Sequence, residues 1–399
     1  MDRLRWSMIP LVVLWMACAK PSTDEILIMH LESRFTQLQD TTKLQQEAEW
    51  AWNDLKSREI PAVYDSHAIF LYRGSGHEVR LTGDITSWQP GPHLIPLGRS
   101  DIFALSMIFP DSAHVDYKLI VDGEWELDRA NPRQVAGGFG ANSELRMPRY
   151  QPAPELEMRP EVARGELDSL SFTSDLLRNT RPIRVYLPPG YRQSDRRYPA
   201  LYFLDGTDYL RLARVNVVAD NLIHEGSIEP LVMILAPPIT PEARATEYGN
   251  NPMFAECLVK ELVPLMQSRY RLLDDARQRA LCGDSYGGLA SFYIGLRSPG
   301  VFGNIASQSG HFGFDDGAIL KLVQTTNLQG YKFYFHCGTY ETGIVAHGTS
   351  FVGFNRKMRD ALAAKEASFT YREYPSGHSW GYWRDEVGRI LRAFFAIQR

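Results

Sequence analysis

From about residue 183 to residue 397 the chain alternates short apolar runs with stretches of helical spacing, and this alternation most constrains its fold. The apolar runs fall at 183–187, 200–204, 231–235, 280–282, 332–335 and 369–372. Between them, residues 252–270 open on Pro252 and set Phe254, Leu258, Leu262 and Met266 along one helical face. Proline suits a first helical turn, where its missing N–H would have no partner. Residues 351–365 and 385–397 read as further helices. Runs this short and apolar, joined by helices, fit strands buried on both faces, hence a mostly parallel sheet with helices on both sides, the α/β class.

Residues 61–150 follow a different rule. Runs at 68–72, 79–81, 103–107 and 115–120 are separated by Gly74, Gly76, Pro90-Gly91-Pro92 and Asp122-Gly123, which supply turns. That spacing predicts a small antiparallel sandwich. Residues 18–60 carry helical spacing through Leu31, Phe35, Leu38, Trp50 and Trp52 and predict a helical lead-in. Residues 151–165, with Pro152, Pro154 and Pro160, predict an extended, semi-rigid connector, leaving 166–399 for the α/β domain.

A chain of 399 residues, 44% hydrophobic and 23% charged, has material for two or three cored domains. Its net charge of −4 argues against a nucleic-acid partner, whose binding domain is ordinarily basic. Arg3 and Arg5 precede an apolar run ending at Ala17, directly before Cys18. A charged start, a short apolar stretch and a small residue at the cut predict an export signal over residues 1–17, and the run is short for a transmembrane helix. A cysteine immediately after the cut resembles the bacterial lipoprotein signal. The resemblance implies lipid attachment at Cys18, a membrane tether and a periplasmic or membrane-anchored protein, although Trp15 stands where such signals usually carry Leu. Cys257, Cys282 and Cys337 are predicted as small core hydrophobes, no Cys/His spacing suggests zinc, and no cofactor is expected.

The chemistry concentrates at Gly283-Asp284-Ser285-Tyr286-Gly287, which fits G-x-S-x-G, a serine on a sharp turn between a buried strand and a helix. A serine hydroxyl is a weak nucleophile without a base, a group orienting that base, and donors for the oxyanion. His378, on the loop after the last apolar run, is the candidate base. His336 closes a buried run and is predicted to face the core, while His311 and His347 lie on loops. Glu341, just past the run at 332–335, is the candidate acid, ahead of Asp315 and Asp316; Glu373 sits within a strand. The backbone N–H of Tyr286, at the positive end of the following helix, is one candidate oxyanion donor. That of Thr207, in a turn shaped by Asp205 and Gly206, is the other. Each such donor stabilises a transition state by about 3 kcal/mol.

The segments YFLDG, RATEYGNNPMFAECLVKELVPLMQSRY, GDSYGGLASF, FGNIASQSGHF, CGTYE and YPSGHSW, spread over about residues 166–397, resemble the esterase D or enterochelin esterase branch of the α/β-hydrolases. That branch includes feruloyl and acetyl-xylan esterases and mycolyltransferases. VRLTGDITSWQP, YKLIVDGEWELDRANP and GGFGANSELRMP resemble the immunoglobulin-like early-set domain that precedes catalytic domains in glycogen-active enzymes and some esterases. The resemblance implies a serine carboxylic ester hydrolase with Ser285 as nucleophile, Glu341 as acid, His378 as base, and Tyr286 and Thr207 as oxyanion donors. It implies a siderophore ester or an acylated polysaccharide as substrate. In glycogen-binding relatives exposed tryptophans stack on sugars, which makes Trp88 and Trp125 candidates, although one such Trp per domain more often fills the core. Asp205, Arg244, His311 and Trp380 are candidate pocket residues. Two positions depart from the pattern: the acid is Glu where many relatives carry Asp, and Asp284 stands where siderophore esterases often carry Gln. The same triad would serve an acyltransferase. A tethered carbohydrate-binding protein with an inactive hydrolase domain is the alternative from another class.

Overall fold

The computed structural model describes residues 40–56, 60–64 and 66–397. The export signal, Cys18 and the first half of the helical lead-in lie outside them. The second half is helix α1 (Thr41–Lys56), whose Leu44 and Ala48 pack on Ile60, Ala62, Ile69 and Leu71. Nine strands follow: β1 (Ala62–Tyr64), β2 (His67–Arg73), β3 (Val79–Gly83), β4 (Ile95–Pro96), β5 (Ile102–Ile108), β6 (His114–Val121), β7 (Glu124–Glu126), β8 (Gln134–Gly137) and β9 (Gly140–Arg146). They form two antiparallel sheets, β1-β2-β5-β4 and β3-β6-β9-β8, with β7 folded back on β6. Phe70, Phe103, Val115, Tyr117, Leu119 and Leu145 fill the space between the sheets, as the alternation predicted.

The connector is not a free spacer. The Asn221 side chain donates to the carbonyls of Glu155 and Glu157 at 2.8 Å each, and Arg392 pairs with Glu155 at 2.7 Å. The connector is not extended throughout, since Pro154–Leu156 wind into a 3-10 turn that proline favours at its start, and these bonds dock it along two helices of the next domain.

That domain opens with the antiparallel pair β10 (Glu166–Ser174) and β11 (Asn179–Leu187). β12 (Ala200–Leu204) leads into α2 (Gly206–Arg211) and α3 (Val215–His224), and β13 (Val232–Ala236) into α4 (Arg244–Tyr248). The helix predicted at 252–270 comprises α5 (Pro252–Cys257) and α6 (Val263–Arg269), with a π-helical turn between them. Pro264, one position into α6, cannot donate to the preceding turn, which accounts for the widened stretch. Then come β14 (Arg279–Asp284), α7 (Tyr286–Arg297), β15 (Asn304–Gln308), α8 (Ala318–Thr325), β16 (Lys332–Gly338), the small β17 (Ile344–Ala346) and β18 (Thr349–Ser350), α9 (Phe351–Ala364), β19 (Ser368–Tyr374) and α10 (Trp380–Phe395). The eight-stranded order is β10-β11-β13-β12-β14-β15-β16-β19, parallel from β13 onward. Apolar clusters cover both faces of the sheet, and Cys257, Cys282 and Cys337 are buried free thiols.

Candidate active site

Each side chain of interest leaves the carboxyl end of a parallel strand, the edge where an open α/β sheet presents its loops. β14 ends in Asp284, and Ser285 turns the chain into α7 with φ 53° and ψ −114°, a region that residues bearing a Cβ rarely occupy. The turn closes because Gly283 has no side chain: a Cβ there would stand 2.4 Å from the Gly287 carbonyl carbon. The Ser285 N–H donates to the Gln308 carbonyl at the end of β15 (2.8 Å), and the Ser285 carbonyl accepts from Leu289 and His311 (3.0 and 2.9 Å).

His378, on the loop between β19 and α10, sets Nε2 2.9 Å from Ser285 Oγ and Nδ1 2.8 Å from Glu341 Oε2. Phe351 and Trp383 meet its ring edge-on, with centroids 4.6 and 4.8 Å away. Glu341 is buried just beyond β16. Its Oε1 accepts from the Gly338 N–H (2.7 Å) and from the Ser309 hydroxyl, which itself accepts from Trp383 Nε1 (2.9 Å). Burial opposes ionisation of Glu341, but His378, Ser309 and the Gly338 amide outweigh it and hold the carboxyl below its usual value. An ionised carboxylate only accepts, so Nδ1 carries the proton and a neutral His378 turns its Nε2 lone pair toward the Ser285 hydroxyl.

Tyr286 is the first residue of α7 and Thr207 the second of α2, and both line one cleft with Ser285. First-turn amides have no acceptor within their own helix, so both N–H groups lack an intrahelical partner. Asp205 caps α2 at φ 59°, and a Cβ on Gly206 would stand 2.3 Å from the Leu235 carbonyl carbon, so only glycine fits there. Arg244 grips Asp205 through two bonds of 2.7 Å and reaches the Asp284 carboxylate at 3.0 Å and carbonyl at 2.9 Å. Burial pushes both aspartates above their usual values; Arg244 pulls against this at Asp205, while at Asp284 the charge of Asp205 adds to it. Arg244 borders the cleft with its guanidinium committed to tying the turn after β12 to the turn after β14.

Trp380 borders the cleft too, although it is nearly buried against Tyr209 and Trp383. His311 corrects the expectation. Its ring lies against Tyr286 and Phe351 (centroids 4.6 and 5.0 Å) and faces a separate hollow shared with Asp315 and Asp316. Its backbone N–H is held by the Ser285 carbonyl, which fixes it beneath the cleft wall. Burial, reinforced by His378, pushes its imidazole down to about 4. Among the other candidates, Asp316 pairs with His347 (3.1 Å), Glu373 with Arg356 (2.6 Å), and His336 is fully buried against Gln308, so none of these meets Ser285.

The cleft measures about 1070 Å³, and one wall belongs to the sandwich. Trp88, Lys118, Trp125 and the fully exposed Phe139 line it. Neither tryptophan fills the sandwich core. Sequence reasoning missed Ser309, Lys118 and Phe139. Ser309 lies inside the FGNIASQSGHF segment, but its role depends on a strand whose residues are mostly polar.

A family model described as "Putative esterase" matches residues 174–394, and one described as the glycogen recognition site of AMP-activated protein kinase matches residues 67–141. The iron(III) enterobactin esterase of Escherichia coli K12 is 27% identical over 312 residues, spanning 75% of this chain and 74% of that protein. An endo-1,4-beta-xylanase/feruloyl esterase from Xylanibacter ruminicola is 29% identical over 249 residues, 59% of this chain and 32% of that protein. Among solved structures, the enterobactin esterase of Shigella flexneri superposes with a TM-score of 0.70 at 22% identity, covering 83% of this chain and 94% of that one. At that identity the likeness establishes the fold.

Proposed function

Because the chain belongs to this esterase family and is an ester hydrolase, we propose that it acts through an acyl-enzyme on Ser285. The observation that carries the reading is the hydrogen-bond chain from Glu341 through His378 to Ser285. The Ser285 proton passes to His378 Nε2 as Oγ attacks the ester carbonyl, with the Tyr286 and Thr207 amides receiving the oxyanion. His378 then protonates the leaving alcohol. Water gives a proton to His378, attacks the acyl-enzyme, and collapse of that adduct returns the proton to Ser285. Glu341 stays ionised throughout and stabilises the imidazolium.

For substrate, the cleft favours an acylated sugar. Trp88, Trp125 and Phe139 offer aromatic faces on the wall contributed by the segment that matches a glycogen-recognition model. A ferric tris-catecholate siderophore carries three negative charges. Against these, Arg244 is bound to Asp205 and Arg211 to Asp208, leaving Lys118 as the one lining Lys or Arg without an anionic partner among the described residues. The siderophore reading keeps one specific support, the enterobactin esterase relatives that align with 75% of this chain.

p-Nitrophenyl acetate should give a burst equal to the enzyme concentration. Ser285→Ala should abolish it with a loss of about 10⁴-fold or more in turnover. A side-by-side panel of acetylated xylan, feruloylated xylan and enterobactin should rank the xylan esters first; enterobactin first would reverse the substrate assignment. Added glycerol that diverts the acyl group would reveal a transferase. Export with lipid on Cys18 is part of the same proposal, and detergent-phase partitioning lost in Cys18→Ser is its expected signature.

A further inference from the structure

Asp84 belongs to the sandwich, in the turn after β3, yet its carboxylate is buried against the loop that carries His378. Oδ2 accepts from the Asp116 N–H (2.9 Å) and from the Ser379 hydroxyl (3.2 Å), and Oδ1 accepts from Trp88 Nε1 (3.3 Å). Ser379 is the residue after His378 and the N-cap of α10. A serine there ordinarily turns its hydroxyl onto its own helix, a bond worth about 1 kcal/mol. Here it makes no capping bond and gives its hydroxyl to Asp84 instead. On the other side of His378, a Cβ on Gly377 would stand 2.2 Å from Asp84 Cβ, so the loop backbone lies directly on this residue. The His114 N–H adds a main-chain tie to the Pro375 carbonyl at 3.1 Å. Trp88, the third partner, faces the cleft from a turn in which it and Ser87 both hold positive φ (57° and 51°), a conformation uncommon outside glycine.

From this geometry we propose that Asp84 is a positioning residue for His378, one that connects the cleft wall at Trp88 to the loop holding the base. The inference rests on the reading of Ser285 and His378 given above. Asp84 touches neither of them. It acts through Ser379 and Gly377, fixing the direction from which Nε2 meets the serine. Burial, with the neighbouring Asp116 carboxylate, pushes Asp84 upward and favours its neutral form, for which asparagine is a close copy in shape.

The test is steady-state kinetics on the full chain, with Asp84→Ala, Asp84→Asn and Ser379→Ala beside wild type. Asp84→Ala and Ser379→Ala should lower kcat by about 10- to 100-fold with KM for p-nitrophenyl acetate little changed, the cost of misplacing a reacting group by a fraction of an ångström. Their rate of labelling by a fluorophosphonate should fall in parallel, and Asp84→Asn should recover most of the loss. Ser379→Ala deletes a single hydroxyl, so it serves should Asp84→Ala fail to fold. If Ser379→Ala and whichever Asp84 variants fold lose thermal stability but keep wild-type kcat and labelling rate, the proposal is wrong. If His378→Ala itself keeps wild-type turnover, the failure lies instead in the assignment of the base.

Discussion

At the scale of single residues, Glu341 shows how much a buried carboxylate depends on its surroundings. Three donors converge on it, and they hold it ionised despite burial. Glu341→Gln keeps the volume but presents a donor as well as an acceptor, so it permits the wrong imidazole tautomer. We expect kcat to fall by about 10⁴-fold with KM little changed, read by steady-state turnover of p-nitrophenyl acetate. His311 makes a prediction in the other direction. Its imidazole sits near 4 when folded against an ordinary value of about 6.5 when unfolded. Between those values the unfolded chain binds the extra proton, so this residue costs stability as pH falls from about 6.5 to 4, and the penalty levels off below. The buried carboxylates Asp84, Asp205 and Asp284 are shifted upward and act with the opposite sign, so the whole-protein slope is a sum. The difference between wild type and His311→Phe isolates the histidine. The stability of wild type relative to His311→Phe should fall as the pH is lowered from about 6.5 to 4, read from melting curves at each pH; a difference that does not change with pH would mean that the histidine titrates alike in the folded and unfolded chain.

At the scale of elements, the alternation of apolar runs gave the sheet and the serine turn, because strands buried on both faces cannot carry polar side chains cheaply. Two strands escaped that rule. β10 alternates Leu170, Phe172 and Ser174 inward as an edge strand, so it shows no continuous apolar run. β15 is Asn-Ile-Ala-Ser-Gln and yet fully buried, since Asn304 donates to the Arg277 carbonyl and Gln308 bonds Tyr209, His336 and Trp383. Asn304 and Gln308 find partners, while the small Ser307 hydroxyl is buried without one among the described residues; one sequence reveals neither the partners nor the exception. Ser309 went unseen for the same reason. Ser285, His378 and Glu341 were legible because each follows an apolar run with its own punctuation. The Arg244 clamp was legible only as a pocket residue, since its function is to join two turns far apart in sequence. Removing it leaves Asp205 and Asp284 buried beside each other without a cation. Arg244→Ala should therefore cost about 3 kcal/mol in chemical denaturation. Arg244→Lys, a point charge in place of a fork, should recover only part of it.

At the scale of the whole molecule, the sandwich is built into the esterase domain rather than appended to it. α10 begins just after His378, buries Val387, Ile390 and Leu391 in the α/β core, and turns its other side to the sandwich. There Arg384 pairs with Glu144 (3.2 Å), and Asp385 accepts from the Tyr150 hydroxyl and from the Ala153 N–H (3.3 Å), while Tyr150 stacks on His114 (4.5 Å). Pulling the two units apart would break the Arg384–Glu144, Tyr150–Asp385 and Ser379–Asp84 ties and expose Tyr340, which packs edge-on against Phe109 (6.3 Å). Each lost hydrogen bond is worth about 0.5–1.5 kcal/mol net, somewhat more where a charged group takes part, and several are lost at once. A partly unfolded state with one domain intact is thus poorly populated, and calorimetry should record one transition for the full chain. Tyr150→Phe deletes a single interdomain hydroxyl while keeping the stacked ring. It should shift that one transition down by a few degrees, with its shape unchanged. Two resolved transitions, of which the substitution moves only one, would mean that the sandwich unfolds on its own, and the cleft wall would then be a mobile partner of the site instead of a fixed part of it.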